Sequence, residues 1–328
     1  MCKTTLPLVS VPVITYNSAK TVLETLESIN AQTYPIIELI ISDDCSTDNT
    51  VELCRKWVDR NKNRFARTEI LTIEKNIGTS ANLNRAEKVC MGEWVKPIAG
   101  DDVLMSNCIQ DCIDYVAEYP DTIFLFGRQN AFGADAKRCA EVNKMFDYSF
   151  FSKTQDEQLH RLTFGSNCVP ATTLFYNRVK AQKVGILNDE RIPLLEDWPK
   201  WINMLRAGVK LHFVDNVLVK YRAGGATTGK RVSLAMYHSQ RLFDFYYRFP
   251  EWQKEEVDKA VSRMVDEECD VYRMLLESET DTQTSLRYER NHYKEQYETY
   301  YKWYNQIRSS KAYRLGKALL KPFKWLKR

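Results

Sequence analysis

With 328 residues and 44% hydrophobic content, the chain can bury a full α/β core and still carry appendages. Its nine cysteines are scattered, odd in number and without paired CxxC spacing, which argues against a zinc site and fits a reducing compartment. No run of about 18 apolar residues is present to span a membrane, and Met1–Thr5 leads straight into a strand-like stretch, so no signal peptide is expected.

Leu8–Ile14 is a short apolar run of the kind found in a buried parallel strand. Thr15-Tyr16-Asn17 closes it, and Lys20–Gln32 has helical spacing. Ile36–Ile41 reads as the second strand and ends in Ser42-Asp43-Asp44-Cys45-Ser46-Thr47-Asp48, where Ser46, Thr47 or Asp48 would cap the next helix. Thr68–Ile73 is a third strand, and Asn76-Ile77-Gly78 turns the chain into a helix reaching Cys90. Gly92–Pro97 is a fourth strand, delivering Ile98-Ala99-Gly100-Asp101-Asp102.

Strand–helix alternation at this pitch predicts a mostly parallel, doubly wound sheet. Ligands of such sheets bind outside the carboxyl ends of the strands, which is where Thr15–Asn17, Asp43-Asp44 and Asp101-Asp102 all fall. Two adjacent carboxylates at a buried strand end are costly unless a cation shares them. Their oxygens suit Mg²⁺ or Mn²⁺, with phosphates filling the remaining positions. Capping of the following helix is the alternative for Asp101 and Asp102 taken alone.

Thr122–Phe126 reads as a further strand, residues 127–165 as an irregular, helix-containing excursion, and Pro170–Tyr176 as a return to strand. Glu196-Asp197 opens a helix that Gly208 ends, so this pair is either a cap or a catalytic base. Leu211–Val214 and Val217–Tyr221 read as two short strands, and the Gly/Thr-rich stretch 222–230 is a candidate lid. His160, His212, His238 and His292 do not cluster in the sequence, and His212 reads as a structural histidine within a strand.

In order and spacing, five pieces resemble the family 2 glycosyltransferases of the GT-A fold, over about residues 7–225: Val9–Asn17; Ile41–Asp48; Asn76-Ile77-Gly78 with Asn84; Gly92-Glu93-Trp94 into Ala99-Gly100-Asp101-Asp102; and Glu196-Asp197-Trp198. The resemblance implies that Tyr16, with Thr15 and Asn17, packs on the nucleotide base of a nucleotide-sugar donor. Asp44 would hydrogen-bond a uracil ring nitrogen, with Asp43 shaping that strand end. Asn84 would join the donor site, and Asp101 would contact the ribose and the metal shell. Asp102 would ligate Mg²⁺ or Mn²⁺, and Asp197 would be the general base, with Glu196 its substitute. One base and no second nucleophile imply inversion at the anomeric carbon. Two departures stand out. Ala99 occupies a position that is often acidic, and Asn82-Leu83 replace a frequent basic residue, which leaves open a phosphate contact from that helix and the direction of Arg85.

Residues 1–230 thus form the expected catalytic domain, 231–285 a helical extension and linker, and 286–328 a terminal helical segment. There Tyr293, Tyr297, Tyr300, Tyr304 and Ile307 recur at steps of four and three, a seam for a homo-oligomer, or else one face of a single amphipathic helix. Residues 308–328 hold eight Lys or Arg and no Asp or Glu, so the net charge of +4 leaves −4 for the rest. Leu315, Leu319, Leu320 and Phe323 share one face of this segment, a pattern suited to an anionic membrane surface. Nothing in the folded region resembles a nucleic-acid-binding motif. The expectation is an enzyme peripheral to the cytoplasmic face of a membrane, acting on a saccharide or lipid-linked saccharide in surface polysaccharide synthesis. The alternatives are a catalytically silent binding or assembly subunit and a sugar nucleotidyltransferase; the latter would carry a Gly-rich loop with a basic residue where Thr15-Tyr16-Asn17 stands.

Overall fold

The computed structural model describes residues 6–133, 136–184 and 197–223, with Phe243 and Tyr247, all within the first of the two units into which the chain divides, residues 1–254. Glu196, the candidate lid beyond Ala223, the terminal seam and the basic tail lie outside the described residues, as do His238 and His292. The first half alternates as expected: β1 (Val9–Thr15), α1 (Val22–Asn30), β2 (Ile37–Asp43), α2 (Thr50–Asn61), β3 (Arg67–Leu71), α3 (Thr79–Val89), β4 (Trp94–Val95), β5 (Ile98–Ala99), β6 (Val103–Leu104) and α4 (Cys108–Glu118). Then follow β7 (Phe124–Phe132), α5 (Ala136–Asn143), α6 (Gln155–Phe164), β8 (Phe175–Asn177), α7 (Arg178–Val184), α8 (Asp197–Arg206) and β9 (Leu211–Arg222).

Among the described residues the strands make one nine-stranded sheet in the order β3-β2-β1-β4-β8-β7-β9-β6, with β5 also on β1. β1 is parallel to β2, β4 and β5, β2 to β3, and β7 to β9, whereas β8 and β6 run antiparallel to their neighbours. Both faces of β1 and β2 are covered, which is why their sequences are apolar almost throughout rather than alternating. Pro12 sits in this central strand without breaking it. The backbone of Ser10 and Ile14 bonds toward the β4–β5 side, and Pro12, two residues from each, faces the gap between β4 and β5 at Lys96-Pro97. Its missing N–H therefore falls where the ladder is already interrupted.

Four local expectations are corrected. The stretch Pro170–Tyr176 is not a strand throughout: Ala171–Thr173 forms a 3₁₀ turn and only Phe175–Asn177 pairs. The two short strands expected at 211–221 are one strand, β9, held along β7 through register shifts at Phe126–Gln129. β7 itself runs on to Phe132, into what read as an irregular excursion, because β9 supplies a partner for each residue from Arg128 to Phe132. At α2 the N-cap position is taken by Asn49, which makes no side-chain bond, while Asp48 just before it accepts the N–H of Thr50, the first residue of the helix; Ser46 and Thr47 are engaged elsewhere. Gly208 ends α8 in the left-handed conformation at φ +84°, as expected of a C-terminal glycine. Half-buried His212 lies near the hydroxyls of Tyr115 and Thr122 at 3.4 and 3.5 Å, a structural setting rather than a ligand set.

Candidate active site

β1 and β2 end side by side, with Thr15 opposite Asp43, and the loops that follow are laced to each other. Thr15 Oγ1 donates to Asp43 Oδ2 at 2.9 Å, and Ser46 donates to Asp43 through both N–H and hydroxyl. Asn17 N donates to Ser46 Oγ at 2.8 Å, while Asn17 Oδ1 accepts from Thr47 N and Oγ1 at 2.9 and 3.2 Å. Ser18 N donates to Thr50 Oγ1 and Ala19 N to Asp48 Oδ2. Ser46, Thr47 and Asp48 therefore stitch one loop to the other, and Asp48 Oδ1 also accepts the N–H of Thr50, the first residue of α2, at 3.0 Å. Asn17 and Cys45 pay for the tight turns with positive φ, 51° and 65°.

Asp44 closes the rim on its far side: its two oxygens accept the N–H groups of Ile77 and Gly78, each at 2.9 Å. The turn before α3 is thereby fixed to the end of β2. Arg85, whose direction the sequence left open, folds back over this strand end to Ser42 Oγ at 3.0 Å and the Asp43 carbonyl at 2.6 Å. Asn84 is buried on α3. Two large apolar side chains stay open on this rim, Tyr16 at 51% and Ile77 at 40% exposure, flanking the otherwise buried Asp43–Asp44 pair.

Asp101 and Asp102 follow β5 immediately and precede β6, well before α4 begins at Cys108 with Asn107 as its N-cap. Capping is thus not their role. Gly100 makes the turn possible, since a Cβ there would lie 2.7 Å from Thr15 Cγ2. Thr21 and Thr25 of the α1 region donate to the carbonyls of Gly100 and Asp102 at 2.8 and 2.7 Å. Arg222, at the end of β9, grips the pair from the other side: its N–H donates to Asp102 Oδ1 and its Nε to the Asp101 carbonyl, both at 2.8 Å. Its guanidinium also pairs with Glu24 and lies over the Phe132 ring.

Burial, and then the neighbouring charge of Asp101, push the Asp102 carboxyl up to about 7, although the Arg222 N–H and the Lys96 and Arg222 charges oppose this. Burial likewise raises Asp101. Lys96 is fully buried, its Nζ held by the carbonyls of Pro97 and Thr172 at 2.9 and 2.7 Å. Among the described residues no group of three or more His, Cys, Asp or Glu could hold a metal. Two adjacent, largely buried carboxylates do suit a hard divalent cation completed by substrate phosphates and water.

Asp197 opens α8. Its Oδ2 accepts from Asn167 Nδ2 at 2.7 Å and its Oδ1 from the Trp198 N–H at 2.8 Å. Burial raises its carboxyl above the usual range, and the Asn167 and Trp198 bonds only partly offset this. α8 is joined to α3 by Lys200 and Glu87, 3.5 Å apart, and Trp198 Nε1 donates to the Leu162 carbonyl of α6 at 3.0 Å. Asn167, Lys96 and Arg222 went unforeseen as site residues, and the direction of Arg85 was left open. Each reaches the site through a side chain that only the folded chain can aim.

The family profile described as glycosyl transferase family 2 matches residues 10–183. Over 216 residues the chain is 25% identical to the putative teichuronic acid biosynthesis glycosyltransferase TuaG of Bacillus subtilis, a match covering 66% of this chain and 79% of TuaG. Over 227 residues it is 25% identical to the UDP-Glc:alpha-D-GlcNAc-diphosphoundecaprenol beta-1,3-glucosyltransferase WfaP of Escherichia coli, covering 68% of this chain and 81% of WfaP. The solved structure of S. aureus TarS 1-349 in complex with UDP-GlcNAc has the same fold, with a TM-score of 0.56 at 21% identity over 73% of this chain and 66% of that one. The profile runs through the laced rim and the Asp101–Asp102 turn and takes in more than half of the sequence: the chain belongs to glycosyl transferase family 2 and is a glycosyltransferase.

Proposed function

We propose that the chain transfers a sugar from a UDP-sugar to a saccharide or lipid-linked saccharide acceptor, with inversion at the anomeric carbon, in the synthesis of a surface polysaccharide. The observation that carries this reading is the convergence of the Thr15–Asn17 loop, the Asp43–Asp44 pair and the Asp101–Asp102 turn on one end of the parallel strands. Tyr16 stacks on the base, Asp44 offers it the lone pairs left by Ile77 and Gly78, and Asp43, Thr15, Asn17 and Asn84 hold the walls. Asp101 meets the ribose. Asp102 and Asp101 hold Mg²⁺ or Mn²⁺, which, when bound, neutralises charge on the departing diphosphate. Asp197 takes the proton of the acceptor hydroxyl, and its raised proton affinity makes it a better acceptor than an ordinary aspartate. The class of acceptor is supported by what WfaP and TuaG are named for.

Residues 308–328 hold the chain to an anionic membrane surface in this proposal. No helix among the described residues is long and apolar enough to cross a membrane. The test is a thermal-shift panel of UDP, UDP-sugars and other nucleotide sugars, each with Mn²⁺ or chelator, followed by product analysis with the donor that binds. Stabilisation by UDP-sugars that needs the cation supports the reading. Equal stabilisation by purine nucleotide sugars, or transfer unaffected by chelator, would count against it.

A further inference from the structure

Glu87 lies three residues beyond Asn84 on α3, and Lys200 lies three residues beyond Asp197 on α8. Residues three apart share a helix face, so each charged residue stands one turn behind a proposed site residue. The two meet in the interior: Lys200 Nζ is 3.5 Å from Glu87 Oε1, with side-chain exposures of only 3% and 9%. A third group comes from the sheet. Tyr176 of β8, paired with Val95 and Phe124, presents its ring 5.1 Å from Lys200 Nζ. Burial, and then the Glu87 charge, push its phenol well up, so the hydroxyl stays protonated at working pH. Among the described residues this is the one ion pair that joins α8 to α3. Other ties of α8 run elsewhere, among them those to α6 through Trp198, to Phe126 of β7 through the Trp201 ring, and to Tyr247 through Asn203 and Arg206.

A buried ion pair adds little to stability, because desolvation of both charges offsets their attraction, and well-packed apolar residues often serve as well or better. What such a pair supplies is a fixed contact between two elements. We propose that Glu87, Lys200 and Tyr176 form a positioning device that sets the acceptor-side carboxylate Asp197 against the donor-side wall formed by α3. The inference rests on the reading of Asp197 as the base. Glu87 and Lys200 are positioning residues: they touch neither donor nor acceptor, and they act through the turns of helix that carry Asn84 and Asp197. Misplacement of a reacting group by about 1 Å can cost about a hundredfold in rate, so the device matters to turnover far more than to folding.

The test uses the full chain with a UDP-sugar, an acceptor and the divalent cation, and compares Lys200→Met, the double variant Glu87→Gln/Lys200→Met, and Asp197→Asn. Lys200→Met leaves Glu87 buried without its cation and is expected to melt lower. The double variant removes both charges and is expected to melt at or above the wild-type temperature. Its kcat should nevertheless stay at least about tenfold down, with the donor KM within about threefold of wild type. If Lys200→Met does not fold, the double variant alone carries the test. Recovery of wild-type kcat in the stable double variant, with Asp197→Asn inactive, would overturn the positioning role and leave the base assignment standing. Activity in Asp197→Asn would overturn the base assignment and this inference with it.

Discussion

Replacing Asp102 by asparagine removes a buried charge while keeping an oxygen that can accept the Arg222 N–H, so it separates what the carboxylate costs from what it does. The native carboxyl holds its proton up to about pH 7, against an ordinary value of 3.8. A group that binds protons more tightly folded than unfolded lowers stability as pH rises between those values, and the loss is complete above the folded value. At about 1.4 kcal/mol per pH unit, the interval corresponds to about 4 kcal/mol carried by ionised Asp102 in the metal-free protein. Relaxation and water entry reduce what is recovered, so Asp102→Asn should be more stable than wild type by about 1–4 kcal/mol at pH 8 in chelator. The difference should shrink steadily as the pH falls to 5. Urea unfolding across that pH range, with and without Mn²⁺, measures it. Added Mn²⁺ should stabilise the wild type at pH 8 and leave the variant unchanged, because cation binding draws on the same carboxylate. Transfer by the variant should fall by about a hundredfold or more. A variant less stable than wild type at every pH, or one that gains as much from Mn²⁺, would refute the reasoning.

Asp197→Asn should abolish transfer while the affinity for UDP stays within about threefold of wild type; if Glu196→Gln is the silencing change instead, the pair is reversed. Asn167→Ala removes a bond that holds the Asp197 carboxyl down, so the acidic limb of the kcat–pH profile should move to higher pH, and an unmoved limb would show that Asn167 does not govern the base. Gly100→Ala would drive a Cβ to within 2.7 Å of Thr15 Cγ2, costing about 1–3 kcal/mol; an unchanged melting temperature would contradict this packing. Removing residues 308–328 should release the chain from anionic vesicles in co-sedimentation without loss of transfer to a soluble acceptor. Salt should weaken binding of the full chain without ending it, since each basic residue adds about 1 kcal/mol that screening removes and the apolar face is unscreened. Equal sedimentation of both proteins would show that the tail is not the anchor.

The first hundred residues were legible because their signals are local. Apolar runs such as Val9–Ile14 and Ile37–Ile41 are buried on both faces, and the polar residues that end them could only lie at strand ends. Beyond Tyr119 the local signal failed. The continuity of β9 depends on β7 lying alongside, and Pro170–Tyr176 looks extended in sequence although three of its residues turn. In the site, motif residues were found where motif spacing pointed, yet several were assigned to ligands when their first partners are protein. Asp44 bonds to Ile77 and Gly78, and Thr15 to Asp43. Asn167 and Arg222 escaped notice because each acts on a carboxylate distant in sequence, Arg222 across 120 positions, and no spacing rule covers such pairs.

The lacing between the 17–19 and 46–50 loops bears on how such a protein can change its donor during evolution. Asn17, Ser46, Thr47 and Asp48 are all committed to one another or to neighbouring backbone, so a substitution at Asn17, Ser46 or Asp48 unpicks several bonds together. Tyr16 and Ile77 stand on the same rim with their side chains largely in solvent, and exchanging either breaks no bond that holds the loops. If the proposed donor site is right, donor preference can therefore drift through these two positions while the lacing stays constant. A saturation library restricted to Tyr16 and Ile77 should accordingly yield mostly folded proteins with altered nucleotide choice, whereas one at Asn17 and Ser46 should yield mostly unfolded ones.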